Sequence, residues 1–299
     1  MKKNVIENSQ VAKDLTKVGI FKVKNKIVFS NKTRDRNVKV LKDKKSGVIF
    51  IPEYKSNIKD HYRKKIQNLS STIDNVKIKN KNVPLPLLND DLRRFNYFKN
   101  KIRNKKLLDF GCGKGIFLSL AKKNAKSVAG LEISRQYINH LRKNKFKIYD
   151  DINLVDQKFD IITLFHVLEH IPDQIDVLKN IKKMLKKKGK LIIEVPSAND
   201  VLFNLKAFRN FSLWSEHLTL HTKLSLSKYL KIAGYKVEKI QLIQRYNFIN
   251  HFKWFLEGKP GGHATNNHGL YEKSIIEHYN KYLIKNEIAD TILVEATIQ

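Results

Sequence analysis

From residue 91 onward, short apolar runs alternate with stretches in which apolar residues recur every three or four positions. Leu107-Leu-Asp-Phe110 reads as a first strand and Ile116–Asn124 as the helix after it. Val128–Glu132 reads as a strand, Ser134–Lys143 as a helix and Phe146–Tyr149 as a third strand. Phe159-Asp-Ile-Ile-Thr-Leu-Phe165 is a nearly unbroken apolar run, the pattern of a strand buried on both faces. Asp176–Lys188 places Val177, Leu178, Ile181, Met184 and Leu185 on one helical face, with Gly189 as its stop signal and Lys190–Val195 as the next strand. A helix over Leu224–Ala233 and strands over Tyr235–Ile243 and Thr291–Thr297 complete the series. Strands alternating with helices predict βαβ units, a parallel sheet and an α/β fold.

The first ninety residues lack this rhythm. No fold is assigned to residues 1–35. Val38–Leu41 and Val48–Ile51 flank Asp43-Lys-Lys-Ser-Gly47 and predict a hairpin, with a helix following from about Asn57. Residues 71–90 are polar and then Pro-interrupted, the composition of a linker. The chain therefore divides into an N-terminal extension, 1–90, and a main domain, 91–299. Gln244–Asp290 forms an insertion between the last two strands, placed as a lid on the substrate side.

Composition narrows the classes. Of 299 residues, 41% are hydrophobic, enough for a sizeable core. No apolar run reaches the roughly 20 residues that span a bilayer, and no secretory h-region follows the N-terminal lysines, so a soluble cytoplasmic protein is expected. The single cysteine, Cys112, excludes an internal disulfide framework and reads as a small apolar filler. The net charge is +31, carried by 49 lysines and only 10 arginines. Arginine is the usual reader of phosphates and bases, so the charge fits solvated lysine faces better than a nucleic-acid footprint. Attraction of an anionic small substrate such as a nucleotide-sugar lies between the two. The oligomeric state is not readable.

Asp109-Phe-Gly-Cys-Gly-Lys-Gly115 joins the first strand to its helix. Gly111, Gly113 and Gly115 permit a tight turn and close approach of backbone to a ligand. Glu132 ends the next strand, where a carboxylate can take the hydroxyls of a ribose. The acid at 109 would repel a pyrophosphate but suits a ligand carrying an amino group. The segment Leu107–Phe117 resembles motif I of the class I S-adenosylmethionine-dependent methyltransferases, and the likeness extends over about 91–243 and resumes near Ala289. It implies a Rossmann-like, seven-stranded, mostly parallel sheet with helices on both faces and the last strand antiparallel. It implies S-adenosylmethionine as cofactor, with Asp109 and the glycines at the methionyl part and Glu132 on the ribose. Asp151 and Ile152 would sit at the adenine, with Asp150 a possible substitute for Asp151. Phe165 and His166 would line the pocket beside the reactive end.

His166-Val-Leu-Glu-His170 matches an H-x-x-E-H metal pattern, but too little helix is expected there to hold it, and no metal is predicted. Glu169 and His170 form either a structural or a catalytic pair. The candidate base is His217, oriented by Glu216, in Trp214–His221. Glu216-His217-Leu218 resembles a segment of sugar C-methyltransferases, although a tyrosine often stands where this chain has Trp214. Ser46–Pro52, with Tyr62 beyond it, looks like those enzymes' zinc-ribbon segment without its cysteines. In the insertion, Lys259 and His263 either meet a phosphate or glycan or belong to a merely flexible turn. These readings predict a methyltransferase acting on a small molecule, a nucleotide-sugar or glycan unit for cell-surface polysaccharide. An RNA or protein methyltransferase is the alternative the charge suggests, and a non-catalytic scaffold the second. Leu164-Phe-His-Val after the fourth strand lacks the D/N-P-P-Y/F signature of base N-methylation.

Overall fold

The computed structural model describes residues 6, 9–53, 75–78, 81–261 and 273–299. The N-terminal stretch to which no fold was assigned forms helix α1 (Gln10–Lys17) and strand β1 (Lys26–Ser30). Ser9 caps the helix through its side chain, and Val11, Ala12 and Leu15 form its buried face. The expected hairpin is present as β2 (Val40–Asp43) and β3 (Ile49–Phe50), with Leu41 opposite Phe50. Asp43 stabilises the turn by accepting from the Ser46 amide at 2.8 Å. The stretch read as a linker instead contains an antiparallel pair, β4 (Asn75–Ile78) and β5 (Lys81–Pro84), and the start of α2 (Leu85–Ile102). Pro86 falls in the first turn of α2, where a missing amide hydrogen costs no helical bond. The helix expected from Asn57, together with Tyr62 and His263, lies outside the described residues.

The main sheet alternates with helices in the expected order: β6 (Lys106–Phe110), α3 (Ile116–Ala121), β7 (Ser127–Leu131), α4 (Arg135–Lys143), β8 (Lys147–Tyr149) and β9 (Phe159–Phe165). There follow α5 (Gln174–Met184), β10 (Leu185–Pro196), α6 (Lys206–Ser212), β11 (Thr219–Leu220), α7 (Lys223–Ile232) and β12 (Tyr235–Ile243). The insertion holds α8 (Phe248–Glu257) and α9 (Lys273–Lys285), and β13 (Thr291–Ile298) closes the chain. Seven strands lie in the order β12-β13-β10-β9-β6-β7-β8. Neighbours from β10 to β8 are parallel, and β13 runs antiparallel to both of its neighbours.

Apolar side chains of β9 and β10 alternate between two packed layers. Ile162, Leu164, Leu191 and Ile193 face one layer with α5 and α7, while Ile161 and Ile192 face the other with α2, α3 and α4. One boundary moves. The helix expected to run to Lys188 ends at Met184, because Leu185 pairs with Phe159 in the sheet and Lys186 reaches Asp160 at 2.9 Å. Gly189 therefore sits in a strand with an irregular register rather than at a helix end. Among the described residues no helix is long and apolar enough to cross a membrane.

β11 joins the two parts of the chain. It pairs with β3, and the Leu218 carbonyl just before it accepts from the Ile51 amide at 3.0 Å. The N-terminal strands and the segment that carries Glu216 and His217 thus form one four-stranded sheet.

Candidate active site

The turn after β6 is built from three left-handed glycines, with φ of 75° at Gly111, 50° at Gly113 and 72° at Gly115. Their reasons differ. A Cβ at Gly111 would overlap the Val167 side chain, and one at Gly115 would overlap Leu141. A Cβ at Gly113 would meet nothing within 4 Å. Two of the glycines are therefore required by packing, while the middle one leaves its backbone open to a ligand. Glu132, directly after β7, closes the turn. Its Oε2 accepts from the Gly113 amide, and its Oε1 from the amides of Ile133 and Ser134, each at 2.8 Å. A carboxylate offers about four acceptor positions, so these three bonds aim it and leave capacity for one further donor.

Asp109 is buried, and its Oδ1 accepts from Thr163 Oγ1 at 2.7 Å. Burial raises its pKa to about 7 against that hydrogen bond, and the negative Asp91 and Glu132 add to the rise. A buried acid poised in this way gains from a cation beside it. Cys112 is buried beneath Gly130, and burial pushes its thiol well up, as befits a filler. Beyond β8, Asp151 caps a short 3-10 turn (Ile152–Leu154) by accepting from the Asn153 amide at 2.9 Å, and Asp150 pairs with Arg142 at 3.3 Å. Ile152 is half-buried against the core.

Phe165 ends β9, with its ring edge-on to Phe117 at 5.0 Å and stacked on Phe98 at 6.2 Å. His166 follows with φ +56°, a conformation that non-glycine residues adopt at a cost. The turn clamps its ring between two carboxylates: Nδ1 lies 3.2 Å from Glu169 and Nε2 3.4 Å from Glu194. Val167, next along, is the side chain that covers Gly111, so this turn packs on the glycine turn.

His166–His170 forms no α-helix. Leu168–His170 is a single 3-10 turn, so the two histidines do not share a helix face, and the reading against an H-x-x-E-H helix is matched by the backbone. The same turn does assemble a cluster. The Glu169 carbonyl accepts from the Leu218 amide at 2.8 Å, which draws Trp214–His221 against it. His170 and His217 then stand with ring centroids 4.9 Å apart. Glu169, His170 and His217 each bring one ligand atom within 4.8 Å of the others, a spacing that can also hold a divalent cation.

Glu216 meets His170 through its backbone, its carbonyl lying 2.9 Å from His170 Nδ1, and its carboxylate acts electrostatically on His217. The carboxylate grouped with the two imidazoles is that of Glu169, the acid of the Glu169–His170 pair; Glu216, expected from the sequence to orient His217, lies beside this group. Burial would raise Glu169, but the His166 hydrogen bond and the three surrounding imidazoles hold it down at about 2. His217 is pushed down to about 4, first by burial and then by His170, so its ring is neutral near pH 7. His221 points elsewhere, bridging Ser225 at 3.0 Å and Gln174 at 2.8 Å in the core. Asp35 holds the loop from the N-terminal side, accepting from Ser215 Oγ at 2.6 Å, and the Arg34 guanidinium lies over Trp214.

Sequence reasoning missed the ion network behind the cluster. Glu194, buried in β10, accepts from Arg94 at 2.7 Å and from Arg93 at 2.8 Å. Arg94 also bonds Asp91 at 3.0 Å and lies over the Phe165 ring. Arg245 pairs with Asp90, and its amide donates to Asp290 at 2.9 Å. Burial works against ionisation of Glu194, yet His166, Arg94 and Arg93 hold it well below the usual carboxylate range. The available signal was a glutamate inside the apolar run Leu191-Ile-Ile-Glu-Val195, which predicts a buried partner of opposite charge.

The strand order, the glycine turn and the acid after the second strand define a nucleoside-binding α/β fold of the methyltransferase type. Residues 82–240 match the family profile described as "Methyltransferase domain", and the chain belongs to the class I S-adenosylmethionine-dependent methyltransferase family. It is similar to a protein of Coxiella burnetii named "Ubiquinone biosynthesis O-methyltransferase", with 33% identity over 128 residues, 39% of this chain and 54% of that one. The like-named protein of Haemophilus ducreyi is 29% identical over 153 residues, 45% of this chain and 62% of its own. The chain thus spans little more than half the length of these relatives. Among solved structures, a SAM-dependent methyltransferase from Archaeoglobus fulgidus covers 71% of this chain and 93% of its own, with 22% identity and a TM-score of 0.49.

Proposed function

We propose that the chain transfers a methyl group from S-adenosylmethionine to a hydroxyl of a small molecule. When bound, that cofactor supplies a methyl on a sulfonium, already a good leaving group. The residues fit it: Gly113 is open to close approach, Glu132 has capacity for a ribose hydroxyl, and the buried Asp109 suits a cationic methionyl group. Asp151 and Ile152 stand after β8, where the adenine side is expected, and Phe165 and His166 line the reactive end.

The observation that carries the reading is the cluster itself, in which His217, His170 and Glu169 each bring a polar atom within 4.8 Å of the others; burial favours a neutral His217 there and the imidazoles favour an ionised Glu169. A neutral imidazole can take the proton of an acceptor hydroxyl, and Glu169 stabilises the imidazolium that results. His170 fixes the pair, and Glu216 holds His170 through its carbonyl. The carbonyl-held turn of His166–His170 supports these groups against the glycine turn, so that alignment is supplied by the fold.

For the acceptor we infer a nucleotide-linked sugar or glycan unit in cell-surface polysaccharide synthesis in the cytoplasm, whose phosphates suit the +31 charge. The second reading is a ring hydroxyl of a quinone precursor, favoured by the names of the two curated relatives. The test is transfer of labelled methyl to a panel of nucleotide-sugars, catechols and RNAs, with His217→Ala alongside. The proposal expects label on a hydroxyl compound and turnover at least tenfold lower in the variant, with cofactor affinity kept. Label on RNA alone, with steep salt dependence, would overturn it.

A further inference from the structure

The insertion turns the usual amphipathic rule inside out. Helix α8 buries Asn250 and His251 along with Trp254, while its outer stripe is Phe252, Phe255 and Leu256, exposed by 46%, 50% and 67%. A helix ordinarily hides such a stripe against its own core. The buried side carries polar bonds: the Asn250 backbone amide donates to the capping Asn247 side chain at 3.1 Å, and His251 lies between Gln244 at 3.0 Å and the Tyr279 hydroxyl at 2.9 Å. Among the described residues the outward apolar side has no such account.

The stripe is continued by its neighbour. Phe248 stacks on Phe252 at 5.6 Å and meets Tyr279 edge-on at 5.2 Å. Phe248, Ile275, His278, Tyr279 and Tyr282 line a shallow cleft of ≈ 440 Å³ between α8 and α9. Ile275 and Tyr282 are themselves about half exposed. Contiguous exposed aromatic and aliphatic surface of this kind marks an interaction site.

Charge decides the occupant. The two helices carry Lys253, Lys281 and Lys285, with Lys259 just beyond α8, against Glu257 and Glu277. A second copy of the chain, itself of net charge +31, would set the same lysines against one another across this face, and self-repulsion opposes that pairing. An apolar stripe set among lysines suits a surface that is apolar within and anionic at its rim. We propose that α8 and α9 dock the protein on an anionic lipid bilayer, with Phe252, Phe255 and Leu256 entering the headgroup–acyl boundary and the lysines meeting lipid phosphates.

The test is co-sedimentation of the full chain with phosphatidylcholine vesicles, with and without phosphatidylglycerol. The parent should pellet with the phosphatidylglycerol vesicles, weakly or not at all with the neutral ones, and be released by high salt. The triple variant Phe252→Ser, Phe255→Ser, Leu256→Ser should lose at least tenfold in vesicle affinity, with unchanged melting temperature and unchanged S-adenosylhomocysteine binding. Lysine-to-glutamine changes at 281 and 285 should weaken binding to the anionic vesicles only. A triple variant that binds vesicles as well as the parent would overturn the proposal, as would a parent that ignores anionic vesicles. A parent that sediments as a dimer without lipid, and a triple variant as a monomer, would assign the face to a second copy instead.

Discussion

The three glycines after β6 offer a test in which one loop separates packing from binding. Each becomes alanine in turn. All three carry positive φ, so each variant accepts the left-handed penalty of about 1–2 kcal/mol. At Gly111 the new methyl also overlaps Val167, held on the turn that bears His166, and overpacking adds about 1–3 kcal/mol. At Gly115 it overlaps Leu141 in the core and the same addition applies. Gly113→Ala has no such contact within 4 Å, so its stability cost stays near the backbone penalty alone. At about 2–4 °C per kcal/mol, the outer variants should melt roughly 4–20 °C lower and the middle one about 2–8 °C lower. Affinity runs the other way: Gly113→Ala should weaken S-adenosylhomocysteine by tenfold or more, about 1.4 kcal/mol, because its methyl occupies the space a ligand approaches. Scanning fluorimetry and calorimetry on the same samples read both quantities. If Gly113→Ala keeps parental affinity, or loses as much stability as Gly111→Ala, the middle glycine serves packing and the reasoning fails.

Further outcomes follow from the cluster and the network behind it. Turnover at saturating cofactor should stay flat from pH 8 to about 5 and fall only near the His217 pKa of about 4; an acid limb near 6.5 would show that the ring is not held neutral in the working enzyme. For stability the sign is that of a depressed histidine: the contribution of burying neutral His217, His221 and His251 is present above about 6.5 and is lost as pH falls toward 4. Asp109, raised to about 7, works oppositely, weighing on the fold above pH 7 and relaxing as pH falls, so Asp109→Asn should flatten that part of a denaturation-versus-pH curve. Arg94→Met should cost about 3 kcal/mol in urea unfolding, since it leaves the buried Glu194 carboxylate with only Arg93 and His166 to offset it, and adding Glu194→Gln should recover part of it; a fully additive double variant would deny the pairing. Exhaustive chelation should leave transfer unchanged if Glu169 acts on the histidines directly, whereas loss restored by added zinc or iron(II) would assign Glu169, His170 and His217 to a cation.

The sequence carried the main sheet because its strands are nearly continuous apolar runs and its helices strongly periodic. Phe159–Phe165 and Tyr235–Ile243 fall on their predicted residues. The glycine turn and Glu132 were legible for a local reason: turn, helix start and strand end lie within two dozen residues. Other features depend on contacts that spacing does not encode. Nothing near Thr219 announces that it pairs with Phe50, yet this pairing places the histidine segment on the N-terminal sheet. Arg94 and Glu194 meet across 100 residues, and Glu169 joins His217 only because the Leu218 amide closes onto the 3-10 turn. Helix α1 was missed though Ser9 and the buried spacing of Val11, Ala12 and Leu15 mark it, because the surrounding lysines dilute its periodicity. The lysine run 186–188 was extended as helix when sheet pairing at Leu185 had already taken the backbone.

The proposed transfer requires a donor nucleoside held against the open Gly113 backbone and the free acceptor capacity of Glu132. Titrating S-adenosylhomocysteine into the chain by calorimetry tests this most directly. A saturable one-to-one heat is expected, weakened at least tenfold in Glu132→Ala, whose stability cost the same sample's melting curve would reveal. Absence of any saturable heat from the folded parent at millimolar ligand would contradict it.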